Sequence, residues 1–431
     1  MMSKQAPSTE SLGWAWVDRE IWTDRMLAAL GNGVQETKWF SLIDKVYRQS
    51  TLRAAWKQVR TNKGAMGVDG VSIKRFDVHA EQYLNELSNA LKLGQYRPMA
   101  VRRVDIPKSD GKTRPLGIPT VKDRIVQTAV KRVIEPIFEQ QFLSMSYGFR
   151  PKRSCKDALR EVDHAIKEGY THVVDADLAG YFDTIPHDRL MERVEDRISD
   201  GRLLKLLKMW LKQEVISDVS SWTPTKGSPQ GAVISPLLAN IYLHPLDEYL
   251  TELGFRMVRY ADDFVILCRH PSEAQNALVA AKEWVERHGL SLHPDKTHIG
   301  DCRIKGQGFD FLGYHFEAGK RWVRKKSLKV LKDKIRENTH RTCGKSMRAI
   351  IDKLNPMLRG WFGYFKHAMQ WTFSSLDGFI RRRLRAILRK QQKKPGQGRC
   401  YADQSKWPNK YFAAAGLFSL KEAWQTASQS R

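Results

Sequence analysis

Three aspartates carry the chemistry this sequence could do. Asp177 closes the short apolar run His172-Val-Val-Asp-Ala-Asp177. Asp262-Asp263 sit about 85 residues later, between two β-prone runs, Phe255 to Tyr260 and Phe264 to Cys268. A lone Asp-Asp pair in a turn reads as solvated surface charge. Here Val258 and the run Phe264 to Leu267 are apolar, so the hairpin is expected to be largely buried. Buried carboxylates without partners are costly, and a cluster of them calls for cations. Hard divalent ions answer that need, and magnesium suits carboxylate oxygens together with substrate phosphates. Two such ions can activate a 3′-hydroxyl and stabilise a leaving pyrophosphate oxygen.

The elements that must position these acids follow from periodicity. The N-terminal third reads as helical with loops, Leu84, Leu87 and Leu91 recurring at helical spacing. Val101, Val104 and Ile106 then predict a strand, Ser109-Asp110-Gly111 a turn and Arg114 to Ile118 a return strand. This hairpin carries Arg102, Arg103, Lys108, Lys112 and Arg114. Helical pattern resumes over Val121 to Phe142 and again at Leu203, Leu204, Leu207, Trp210 and Leu211. Gly227-Ser-Pro-Gln-Gly231 is a tight polar loop, followed by an apolar run from Val233 to Leu243. The two runs flanking Asp262-Asp263 predict a second hairpin with the acids at its turn, and Ser272 to His288 a helix. Beyond residue 325 the pattern is helical and basic. Leu354, Leu358, Trp361, Tyr364 and Phe365 form an apolar stripe, and Arg381 to Lys390 a basic amphipathic helix. Lys393 to Gln397 reads as a linker, before a tail containing Trp407, Tyr411, Phe412, Leu417, Phe418 and Trp424. There is no internal repeat.

Composition bounds the partners. A chain of 431 residues suggests two or three domains, and 42% hydrophobic content is enough for proper cores. A net charge of +26 implies a polyanion, nucleic acid before an acidic membrane surface. No stretch approaches the ~18 apolar residues of a membrane span, and Met1 to Glu20 lacks a signal-peptide core. Cys155, Cys268, Cys302, Cys343 and Cys400 are odd in number and form no C-x-x-C pair. Reduced thiols in a cytoplasmic protein are expected, rather than disulfides or a zinc ribbon. Residues 320 to 399 hold 24 Lys and Arg against 4 Asp and Glu, or +20 of the +26. That asymmetry places a domain boundary near residue 320.

Seven blocks, in order, then resemble group II intron-encoded reverse transcriptases. Tyr260-Ala-Asp-Asp263 resembles their Y-x-D-D box and Asp177-Leu-Ala-Gly-Tyr-Phe-Asp183 their other metal motif. Ile106 to Pro119 resembles the fingers hairpin, Tyr147-Gly-Phe-Arg-Pro-Lys-Arg-Ser154 the next block, and Gly227 to Tyr242 the group II form of a further one. Gly308-Phe-Asp-Phe-Leu-Gly-Tyr314 is similar to the last block, and Asp69-Gly-Val-Ser fits the N-terminal extension. The match runs from about residue 60 to 320.

The resemblance implies an α+β right-hand polymerase with fingers, palm and thumb, joined to a basic helical maturase (X) domain. Expected divisions are a helical N-terminal extension over 1–60, fingers and palm over 61–320, thumb and maturase over 321–395 and a short tail over 396–431. Asp177, Asp262 and Asp263 would bind two Mg2+ ions. Lys108 and Arg114 would hold the triphosphate of the incoming nucleotide through charge-assisted contacts. Phe182 would sit under the sugar and exclude a 2′-hydroxyl, with Gln230 beside the nucleotide. Asp175 and Asp183 are expected to be structural or capping acids. Trp361, Tyr364 and Phe365 are expected in the thumb core. Arg381, Arg382, Arg383, Arg385, Arg389 and Lys390 would bind RNA, because so dense a basic face has little structural purpose.

The implied function is copying intron RNA into DNA for retrohoming, together with help in splicing. The implied partners are group II intron RNA, template RNA, a DNA primer, dNTPs and target DNA. A splicing-only maturase is the alternative, as is a related enzyme of a retron, diversity-generating or antiviral system. The sequence has neither the length nor the cysteine pairs of relatives with a His-Asn-His endonuclease. It resembles endonuclease-free forms, which implies priming from existing DNA 3′ ends such as those at replication forks.

Overall fold

The computed structural model describes residues 13–31, 38–107, 113–217 and 220–429. The chain divides into two compact units. One holds Met1–Glu168 and Ala176–His298, the other Gly169–Asp175 and Ile299–Arg431.

Strands β1 (Val101–Pro107) and β2 (Thr113–Ile118) form the first expected hairpin, in antiparallel register from Arg102↔Ile118 to Pro107↔Thr113. Its turn, with Lys108 and Lys112, lies outside the described residues. Strand β3 spans His172–Asp177, and β4 (Val215–Ile216) and β5 (Ser221–Trp222) are short additions that periodicity does not reveal. The second expected hairpin is β6 (Arg256–Tyr260) with β7 (Asp263–Cys268). Further strands are β8 (His298–Asp301), β9 (Phe309–Phe311), β10 (Tyr314–Glu317) and β11 (Lys320–Val323). They form sheets of order β2-β1-β4-β5, β11-β10-β9 and β6-β7-β3-β8. The division between units falls inside β3 and β8.

The first unit is built on two helices buried almost all round. In Val121–Glu139 and Ser235–Glu252 most residues are buried, on every face. Such helices belong to a core rather than a surface. The apolar run Val233 to Leu243 is thus the start of a helix rather than a strand. Pro236 at its first turn suits that role, since its missing N–H would be unpaired there anyway. Helix Gly201–Leu211 is capped by Asp200, whose carboxylate accepts from the amides of Arg202 and Leu203, both at 3.1 Å.

In the second unit, helices Met347–Phe365 and Gln370–Gln391 carry the expected apolar stripe and basic run. Of the three aromatics expected in the core only Phe365 is buried; Trp361 and Tyr364 are half-buried, and the Tyr364 hydroxyl donates to the Leu312 carbonyl at 2.7 Å. The tail folds into short helices tied to Asp377. That buried carboxylate accepts from Leu420 N at 3.0 Å, Lys421 N at 3.1 Å and Ser419 Oγ at 3.0 Å. It is a remote cap for helix Leu420–Gln429. All five cysteines are free. No helix among the described residues is long and apolar enough to cross a membrane.

Candidate polymerase active site

In the β6–β7 hairpin Tyr260 pairs with Asp263, so Ala261 and Asp262 are a two-residue loop. Tight hairpin loops require φ > 0 at their first position, where glycine is usual. Ala261 has φ +62°, a conformation that costs a non-glycine residue on the order of 1–3 kcal/mol unless its surroundings hold it. Two features hold it. Arg259, fully buried, donates from Nη1 to the Ala261 carbonyl at 2.9 Å. The same guanidinium donates to Asn240 Oδ1 at 3.0 Å and to both oxygens of buried Asp247, at 2.7 and 2.5 Å. The acid-bearing turn is therefore bolted to helix Ser235–Glu252.

The second feature is Gly148. A Cβ there would stand 2.2 Å from the Ala261 amide nitrogen, so glycine alone fits. The segment before it runs along β6, with Tyr147 N donating to Arg259 O and Arg259 N to Met145 O, each at 2.9 Å. Asn240 Nδ2 closes the circuit by donating to the Gly148 carbonyl at 2.8 Å. Arg150 in turn fixes this segment, donating to Glu139 and to the carbonyls of Phe142, Leu143 and Ser146.

Asp177 and Asp262 come together. Burial holds the Asp262 carboxyl above its ordinary range, and the charge of Asp177 pushes it the same way. Lys296 forms an ion pair with Asp177, and its charge acts on Asp262 in the opposite, lowering sense. The local frame is set by backbone bonds, His293 N donating to Asp177 O at 2.7 Å and Ala179 N to Ser291 O at 2.8 Å. Asp263 begins β7 beside them in sequence, and both Asp262 and Asp263 are half-buried.

Among the described residues no group of three or more His, Cys, Asp or Glu is gathered closely enough to hold a metal alone. The donors present do fit a hard divalent cation. They are carboxylate oxygens, their mutual repulsion favours a cation between them, and one already holds an ammonium. Magnesium in particular is usually bound by one or two carboxylates plus substrate phosphates rather than by an all-protein cage.

The expected nucleotide-side residues form a second group. Arg114 Nε donates to Gln230 Oε1 at 2.8 Å, and Gln230 Nε2 donates to Asp183 Oδ2 at 3.1 Å. Asp183 is exposed. It orients the Gln230 amide, a structural task of the kind expected for it. Asp175 is buried and accepts from the Asp310 amide at 3.4 Å, a structural role as expected. Phe182 is buried, and its carbonyl accepts from Ser228 N at 2.7 Å. Gly117 N donates to the Gln230 carbonyl at 2.6 Å. A Cβ at Gly231 would reach 2.5 Å from the Gly117 carbonyl, so glycine lets the loop dock on β2. His187, buried, meets the Gly227 carbonyl through Nε2 at 2.6 Å. Lys108 lies outside the described residues.

The basic run of the second unit is divided. Arg385 is buried, donating to Trp407 O at 2.9 Å and Asn409 Oδ1 at 3.0 Å. Arg389 pairs with Asp403 at 2.7 Å, and Arg383 donates to Thr339 Oγ1 at 2.6 Å. Arg381 stands 3.9 Å from Asp377. Much of the run therefore has a structural purpose after all, fastening the tail and a neighbouring helix. Lys390 is exposed. Arg382, Arg336 and Lys332 gather over the Phe379 ring at 5.4, 5.5 and 5.8 Å. Burial lowers the Arg382 pKa, and nearby Arg399 and Arg336 lower it further, as in a cluster of like charge.

A carboxylate-bearing hairpin beside an acid-ended strand, with a cationic hairpin and a Gln-bearing loop near it, defines a nucleotidyltransferase of the polymerase class. Residues 106–316 match the family described as reverse transcriptase (RNA-dependent DNA polymerase). Residues 328–407 match the group II intron maturase-specific domain. The chain is 36% identical over 330 residues to protein YkfC of Escherichia coli (strain K12), covering 66% of this chain and 84% of YkfC. It is 37% identical over 206 residues to group II intron-encoded protein LtrA of Lactococcus lactis subsp. cremoris, covering 48% of this chain and 34% of LtrA. Against the putative COX1/OXI3 intron 2 protein of Saccharomyces cerevisiae it is 26% identical over 403 residues, covering 78% and 46% of the two chains. The chain belongs to the group II intron-encoded reverse transcriptase/maturase family, an α+β RNA-directed DNA polymerase joined to a maturase-specific segment.

Proposed function

We propose that Asp177, Asp262 and Asp263 hold two Mg2+ ions and that the enzyme adds dNTPs to a DNA primer on an RNA template. The observation that carries this reading is the elevated Asp262 carboxyl beside Asp177, a pair that binding of a cation would relieve. Once bound, the ions would supply activation of the primer 3′-hydroxyl and neutralisation of the leaving pyrophosphate. The chain's own residues do the positioning. Arg259 and Gly148 fix the turn that presents Asp262. Lys296 forms an ion pair with the Asp177 side chain and fixes its position. Arg114 and Lys108 take the triphosphate, with Arg114 exchanging its Gln230 carbonyl for a phosphate oxygen. Phe182 packs under the sugar, and Gln230 lies beside the nucleotide with its amide oriented by Asp183.

In the same reading the intron RNA is the natural template and splicing partner, and target DNA supplies the primer from an existing 3′ end in the cytoplasm. Retrohoming and splicing help follow from that pairing. The RNA-facing surface of the second unit would centre on Lys332, Arg336, Phe379 and Arg382 rather than on the whole run to Lys390. The test is single-nucleotide primer extension on RNA with Mg2+, wild type against Asp262→Ala. Extension by wild type alone is expected.

A further inference from the structure

A cavity of about 490 Å3 lies between the β2-β1-β4-β5 sheet and the Gly227–Gly231 loop. That size falls within the range of about 300–1,000 Å3 typical of small-molecule sites. Phe182 and Gln230 line it, whereas Asp177, Asp262, Asp263 and Arg114 do not. The cavity therefore adjoins the nucleotide position without containing the reacting centre. Its remaining lining is unlike a plain packing defect. Trp222 is 38% exposed, a large aromatic left open on a two-residue strand. The Arg103 guanidinium, paired through Nε with exposed Asp105 at 3.1 Å, lies over its ring at 5.5 Å from the centroid. Lys226 adds a second cation, while the lining acid, Asp183, is engaged by Gln230.

An open indole with a guanidinium over it, backed by a lysine, is what a single nucleobase and one phosphodiester require. Aromatic faces stack bases regardless of sequence, and cations track the backbone. The incoming triphosphate is a poor candidate, since it must meet the carboxylates and Arg114, which are absent from the lining. We propose that this cavity receives the unpaired template nucleobase one position ahead of the templating base. The assignment rests on the polymerase reading above. Stacking there would hold the next base out of the way and fix the register of the template.

Two templates with the same primer separate the outcomes, one ending at the templating base and one extended by several nucleotides. Trp222→Ala is expected to lower kcat/KM for single-nucleotide addition about tenfold on the extended template. On the ended template it should leave addition unchanged, and Trp222→Phe should keep most of the activity on both. A 2-aminopurine placed one position ahead should be quenched by wild type, not by Trp222→Ala, and less when moved two positions further. Equal losses on both templates, or quenching that ignores Trp222, would overturn the assignment. The fluorescence reports on the cavity whether or not a nucleotide is added. Failure of wild type to extend either template would instead overturn the polymerase reading.

Discussion

Arg259 donates from one guanidinium to Asp247 and to the carbonyl of Ala261, joining a buried ion pair to the turn that carries Asp262. Both charged side chains of that pair are fully buried. Breaking a buried pair from one side leaves an uncompensated charge, at a cost of about 3–5 kcal/mol. Arg259→Met should therefore lower the urea midpoint sharply. Arg259→Met combined with Asp247→Leu should recover part of the loss. If the single change were no worse than the double, the pair would not hold the turn.

The elevated Asp262 carboxyl gives a pH-dependent prediction. Its folded pKa lies above the ordinary carboxylate value, so the folded state binds more protons than the unfolded one between those two pKa values. Stability then falls as pH rises through that window, and the cost of the ionised form persists above it. In EDTA at neutral pH, Asp262→Asn should melt at a higher temperature than wild type. The gain should vanish below the ordinary carboxylate pKa. Mg2+ should raise the wild-type Tm and not that of the variant. A Tm for Asp262→Asn equal to wild type in EDTA at every pH would contradict the account.

Phe182 is buried beside Ser228 and one residue from Asp183. Truncation to Ala opens the space a 2′-hydroxyl would need. Discrimination against ribonucleotides should fall roughly tenfold to hundredfold, read as the ratio of kcat/KM for dNTP and rNTP. Unchanged discrimination would remove Phe182 from the sugar-facing role.

The divided basic run separates stability from RNA binding. Arg385→Ala should loosen the tail by removing the donor to Trp407 and Asn409, lowering Tm while leaving the salt dependence of RNA binding nearly intact. Lys332→Ala with Arg382→Ala should do the opposite. Each lost phosphate contact reduces the slope of log K against log salt by about 1. A filter-binding series over salt distinguishes the two variants.

The first hairpin and the strands that carry the acids were legible because β-prone runs bounded by turn residues have a local signature, as at His172–Asp177 and around Asp262, whereas the short strands β4, β5 and β8 to β11 were not. Helices with a clear apolar period were legible for the same reason. What escaped was pairing across distance. Lys296 lies 119 residues from Asp177, and nothing in Pro294-Asp-Lys-Thr297 marks it as that acid's partner. Arg259 reads as one of two arginines in a β-prone run, and its buried partner Asp247 lies on a separate helix. Gly148 sat in a block matched by resemblance, but its close approach to Ala261 is tertiary. The partner of Asp183 was not legible, because Gln230 comes from a separate loop. The run Arg381 to Lys390 looked like one face because charge density was read without knowing that Trp407, Asn409 and Asp403 return to meet it. The tail itself gave no mechanism until Asp377 proved to cap its last helix.

The central claim is that Asp262 belongs to a metal-dependent nucleotidyl-transfer site that is separable from RNA binding. Primer extension on an RNA template with Mg2+, run beside intron-RNA binding for wild type and Asp262→Ala, tests it most directly. The account predicts extension by wild type, none by Asp262→Ala, and RNA affinity within about twofold for the two proteins. Extension by Asp262→Ala at the wild-type rate, or equal loss of extension and RNA binding, would contradict it.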